Sequence, residues 1–176
     1  MDMKYNMLNK KNKNTNMNNL INNTVESTLR EIGLTFEHKG ESFYFNLDDD
    51  YANLQFLIVA DEEKEILTVI GYFPIKVAKE KLDKMYKLIN ELNNMSLIGF
   101  FSIDSEDGEL TFRLSNNVDG GAINTNIVKT CFLQALYRLR NCFNDIITTM
   151  YGEQQTTYSL ENLIMEEHYN EKKSIS

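Results

Sequence analysis

The chain is 176 residues long and 42% hydrophobic, with 18 Lys and Arg against 26 Asp and Glu, a formal charge of -8. That length suits one domain whose core needs no disulfide, and no apolar run approaches the ~18 residues of a membrane span, so a soluble protein that does not enter membranes is expected. The opening MDMKYNMLNKKNKNTNMNN has no apolar stretch of the kind a secretion signal needs, and Cys131 and Cys142 show no metal or redox spacing, so a cytoplasmic location is expected.

Residues 1–19 hold four lysines and one acid, +3, leaving 14 basic and 25 acidic residues, or -11, for the rest. This Asn/Lys-rich start has too little apolar surface to offset its ordering entropy and is expected to be disordered. A folded domain is expected over 20–152, followed by a helical or frayed tail over 153–176. In the domain, Leu20, Ile21, Val25, Thr28, Leu29 and Ile32 recur at three- and four-residue spacing, a first helix that Gly33 stops. From Leu34 to Ala60 the chain turns to short runs of aromatic and β-branched residues, such as Phe43-Tyr44-Phe45 and Phe56-Leu57-Ile58-Val59. These read as strands, with His38-Lys39-Gly40-Glu41 and Asp48-Asp49-Asp50 as connections. A further strand runs from Ile66 to Phe73, where Pro74 ends it.

Residues 77–94 place Val77, Ala78, Leu82, Met85, Leu88, Ile89 and Leu92 on one stripe of a second helix. Strands are expected over Leu97–Ile103 and Leu110–Leu114, joined by a turn whose Asp107-Gly108 pair supplies positive φ. A long helix follows from Ile123 to Met150, with Gly152 as its stop. Strand runs joined by short turns, with no regular strand–helix alternation, predict an α+β domain: a mainly antiparallel sheet with helices packed on it.

Four segments together resemble the YbjN family: Ile66 to Phe73, the helix end Ile89-Asn90-Glu91-Leu92-Asn93, Ile98-Gly99-Phe100-Phe101-Ser102-Ile103-Asp104, and Asp107 to Arg113. The resemblance covers about residues 20–150. It implies a fold similar to the small dimeric chaperones of type III secretion. It also implies a bacterial sensory or regulatory protein with no assigned enzymatic activity, hence no catalytic residues to transfer.

The acidic turns are the places where a metal could be sought. Asp48-Asp49-Asp50 lacks further ligands at calcium-loop spacing, and counting from Asp104 puts Ser115 where a twelfth-position Glu belongs. Solvated turns are the expectation, and no cofactor is assigned. His38 and His168 lie far in sequence from Cys131 and Cys142, which read as inert core thiols. Gly120-Gly121 has no basic residue until Lys129, so it is no phosphate loop. The acidic body argues against nucleic acid.

Consecutive aromatics carry the remaining information, because alternation sends Tyr72 and Phe73, or Phe100 and Phe101, to opposite faces. Either a second layer covers the other face, or that face is an interface. The reading taken is a non-enzymatic binding or regulatory domain whose apolar sheet surface serves dimerisation, giving a homodimer, or holds a protein partner. Tyr72, Phe101 and Phe112 are its contact residues, and Asp48, Asp49 and Asp50 attract basic partners. The alternative is a small metal-dependent enzyme using the acidic turns.

Overall fold

The computed structural model describes residues 19–49, 52–119 and 122–152. The expected N-terminal segment apart from Asn19, the tail 153–176, Asp50, Gly120-Gly121 and His168 lie outside the described residues. In chain order the elements are α1 (Leu20–Glu31), β1 (Glu37–Lys39), β2 (Ser42–Asp48), β3 (Asn53–Asp61), β4 (Ile66–Tyr72), a 3₁₀ turn (Lys79–Lys81), α2 (Leu82–Asn94), β5 (Phe100–Ile103), β6 (Leu110–Asn117) and α3 (Thr125–Tyr151). The strands form one antiparallel sheet in the order β1-β2-β3-β4-β6-β5. The predicted α+β architecture is the observed one.

Several element bounds differ from the sequence reading: β6 runs on past the expected Leu114 to Asn117 and the long helix starts at Thr125 instead of Ile123, and three connections are rearranged. His38 and Lys39 are strand, paired with Phe43 and Ser42, so the connection shrinks to Gly40-Glu41. The second helix begins late because Val77 is tied to the β5–β6 turn: its N–H donates to the Gly108 carbonyl at 2.8 Å. Gly108 has φ +75, and a Cβ there would lie 2.1 Å from the Val77 carbonyl oxygen, so glycine allows this contact. The strand expected from Leu97 starts only at Phe100, leaving 95–99 as a loop.

The core is set by one inward row across the sheet, Phe45, Phe56, Gly71, Phe112 and Phe101, each paired with the next. The apolar side of α3 lies on this row. Phe132 packs edge-on against Phe45 and Phe56, with ring centroids 5.5 and 5.1 Å apart. Gly71 is where α3 comes closest, since a Cβ there would stand 2.5 Å from Leu139 Cδ1. The first helix joins the same layer through Ile21, Val25 and Leu29, and the second through Met85, Ile89 and Leu92. Where α2 meets the edge strand, the Asn93 carboxamide acts as a surrogate strand. Its oxygen accepts from the Phe101 N–H at 2.7 Å and its NH₂ donates to the Phe101 carbonyl at 3.0 Å. Arg138 of α3 donates to the Leu92 carbonyl at 3.1 Å, capping the end of α2.

Candidate protein-binding face of the sheet

Because strand side chains alternate, the residue one step from each core position points away from the helices. The register lines these up as a second row, Glu37, Tyr44, Leu57, Ile70, Arg113 and Phe100, one from each strand in sheet order. Flanking rows add Lys39, Ser42, Val59, Thr68 and Ser115 on one side, and Asn46, Gln55, Tyr72, Thr111 and Ser102 on the other. No helix of the described residues packs on this face. Its middle is apolar, with Leu57, Val59 and Tyr72 half-buried, while Tyr44 and Phe100 at its ends are 42% and 47% exposed. The rim is polar and close to neutral: Lys39 pairs with Glu37 at 2.8 Å and sits 6.0 Å over the Tyr44 ring. Arg113 is exposed and has no ion pair among the described residues.

At the β1 corner the face dips into a concavity of about 960 Å³, bordered by Thr35, Glu37, Tyr44, Asn46, Gln55 and Tyr72. Burial pushes the Tyr72 phenol up, with the charge of Glu109 adding to it, so Tyr72 stays a neutral hydrogen-bonding group across the physiological range. A second apolar feature borders the opposite end. Met95, Leu97 and Ile98, in the loop before β5, are 70%, 99% and 48% exposed, forming a ridge that runs into Phe100.

Of the contact residues read from the sequence, Tyr72 lies on the open face. Phe101 and Phe112 do not: they are 2% and 0% exposed, and their rings meet edge to face at 5.0 Å on the helix side. The physical reason is parity. Register places both in the row with Gly71 and Phe56, and the outward member of the Phe100-Phe101 pair is Phe100.

The acidic turn is corrected as well. Asp49 is bound by Arg140 through two hydrogen bonds, and its side chain is only 2% exposed, so it is unavailable to a basic partner. Asp48 accepts from the Asn53 side chain across the β2–β3 hairpin, and Asp50 lies outside the described residues. In the other acidic turn, Asp104 and Asp107 accept backbone N–H groups of Glu106 and Glu109 at 2.8 and 3.0 Å. Lys76 pairs with Asp107 and holds its carboxyl below the usual range. Among the described residues no group of three or more His, Cys, Asp or Glu side chains converges.

His38 stacks on Phe43 with centroids 4.0 Å apart, its Nε2 lying 2.7 Å from the Gly40 carbonyl oxygen. Cys131 and Cys142 are buried free thiols, and burial pushes both pKa values up, as the core reading expects. No helix of the described residues is long and apolar enough to cross a membrane.

The sequence reading missed Leu57, Val59 and Ile70 as outward residues, although their alternation with Phe56, Ile58 and Val69 was visible. It also took Leu97 and Ile98 for strand, where Gly99, with φ +71, marks the break.

A family model named YbjN, described as "Putative bacterial sensory transduction regulator", matches residues 23–143. No curated protein matches the chain. Among solved structures, a chain of the HopA1-SchA chaperone-effector complex superposes with a TM-score of 0.52 at 13% identity, covering 70% of this chain and 93% of that one. The crystal structure of "YbjN, a putative transcription regulator from E. coli" superposes with a TM-score of 0.51 at 12% identity, covering 77% and 91%. At such identities the likeness is one of fold.

Proposed function

Because the chain belongs to the YbjN family, we propose that it is a non-enzymatic regulatory domain that works by binding protein, chaperone-like in presenting a sheet surface rather than a catalytic pocket. The observation that carries this is the open face. A six-stranded sheet has its helices on one side, while the other side shows Tyr44, Leu57, Val59 and Tyr72 exposed or half-buried around Ile70, itself only 7% exposed, inside a polar rim. A face of that composition loses water favourably when covered, at roughly 25 cal/mol per Å² of apolar area. The chaperone-effector neighbour supports a protein as the class of partner.

The test compares the full-length protein with a Leu57→Arg variant. Leu57 lies outside the core and half-buried, so the variant folds with an unchanged circular dichroism spectrum. The wild type is expected in a complex larger than its 20.5 kDa monomer, with itself or with a protein retained from its own cells, and the variant is expected to lose that complex. A wild type that is monomeric at every concentration and retains nothing would refute the reading.

A further inference from the structure

Resting on that reading, we infer that the occupant of the open face is a second copy of this chain, docked face to face about a twofold axis that runs parallel to the strands over β3. The support is a self-complementarity written into the register. Under such an axis, a residue lying a given number of strands to one side of β3 faces the partner's residue the same number of strands to the other side. In the sheet order, β1 and β6 both lie two strands from β3, and β2 and β4 both lie one strand from it.

The outward row then matches itself. Glu37 faces the second copy's Arg113, Tyr44 faces Ile70, and Leu57 meets Leu57 on the axis. The flanking rows agree, with Lys39 opposite Ser115, Ser42 opposite Thr68, Val59 on the axis, and Asn46 opposite Tyr72. No like charges oppose each other in these three rows. Asp61, at the far end of β3, falls near the axis at the rim, where Lys64 already neutralises it at 2.6 Å. The arrangement also brings Arg113, which has no ion pair among the described residues of its own chain, to Glu37, which it shares with the Lys39 that already pairs with Glu37 at 2.8 Å.

The area fits a modest, concentration-dependent dimer. With the axis over β3, the five strands β1, β2, β3, β4 and β6 overlap and β5 overhangs; at about 4.8 Å spacing and some 20 Å of strand length the overlap gives a footprint of roughly 500 Å² per copy. That is roughly 1,000 Å² in total, at the lower bound for a specific interface. Aligned packing at about 10 Å between sheets is the ordinary geometry of two such layers.

The experiment is sedimentation velocity on the full chain from about 1 to 200 µM, with Glu37→Arg, Arg113→Glu and the double variant. Both residues are exposed, so all variants are expected to melt as the wild type does. Each single change converts two opposed attractions into two repulsions, and is expected to weaken the dimer by about tenfold or more. The double change exchanges the two charges and is expected to restore association to within about threefold of wild type. Singles without effect, or a double variant no better than the singles, overturn the inference. So does a wild type that stays monomeric, whether another protein or the chain's own ends occupy the face. A monomer that still captures a cellular protein through Leu57 overturns the dimer alone, whereas one that captures nothing overturns the proposed function too.

Discussion

Replacing Phe101 or Phe100 by serine separates the two faces of the sheet by measurement. Phe101 is 2% exposed, packs edge to face on Phe112 at 5.0 Å, and lies 5.9 Å beneath the Arg138 guanidinium. Truncating a buried Phe costs about 3–5 kcal/mol through lost transfer energy and the cavity left behind, and a serine hydroxyl stranded there adds roughly 1 kcal/mol. Against a total stability of roughly 5–15 kcal/mol, that is a large fraction. At about 3 °C per kcal/mol for a domain of this size, Phe101→Ser should lower the melting temperature by roughly 12–18 °C. Phe100, one residue earlier, is 47% exposed, so Phe100→Ser should move the melting temperature by no more than about 2–3 °C. Both melts are read by circular dichroism at about 2 µM and again at about 50 µM, so that any contribution from association appears as a concentration dependence. Equal shifts, or the larger shift at Phe100, would refute the assignment of faces.

Two further substitutions probe what positions that face. Asn93→Ala removes the carboxamide that satisfies both backbone groups of Phe101, and is expected to cost about 1–3 kcal/mol in chemical denaturation, with faster amide exchange concentrated in β5. Loss of stability without that local exchange would count against the surrogate-strand role. Gly71→Ala places a methyl 2.5 Å from Leu139 Cδ1, and overpacking of about 1–3 kcal/mol is expected. Relief by a compensating Leu139→Val change would support the contact, and an additive second loss would refute it.

The order of elements was legible because glycine, proline and periodicity punctuate this chain clearly: Pro74 follows β4, Gly108 sits in the β5–β6 turn, and the 3.6-residue stripe of α3 ends before Gly152. What alternation supplies is parity, not sign. It separates Phe100 from Phe101 but does not say which one meets the helices. The sign comes from pairing across five strands, where Phe101 joins Phe112, Gly71, Phe56 and Phe45, and from α3 requiring a residue without a side chain at Gly71. Asp49 was unreadable for a related reason. Its partner Arg140 is 91 residues away, so a cluster that looks like a solvated acidic turn is in part a tether between the β2–β3 hairpin and α3. The Asn-bearing end of α2 was visible as a resemblance, and its use became clear only when β5 was seen to lie beside it.

The acidity of the chain bears on the proposed twofold dimer with a sign that can be worked out. Two bodies of charge -8, with centres about 25 Å apart when two such layers stack, repel by roughly 10 kcal/mol in water without screening. At 10 mM salt the Debye length is about 30 Å and roughly 4 kcal/mol of that survives, whereas at 150 mM it is about 8 Å and only about 0.5 kcal/mol remains. The Glu37–Arg113 contacts are screened in the opposite sense, but rim pairs of this kind each shift affinity by less than about tenfold. Repulsion therefore dominates the salt response. Raising salt from 10 to 150 mM should tighten the dimer by about tenfold or more, as read by sedimentation equilibrium. Contact driven by charge attraction would instead loosen over the same range. Loosening would mean that the ion pairs, and not the Tyr44–Leu57–Ile70 row, hold the copies together, and the apolar face would lose its role as the source of affinity.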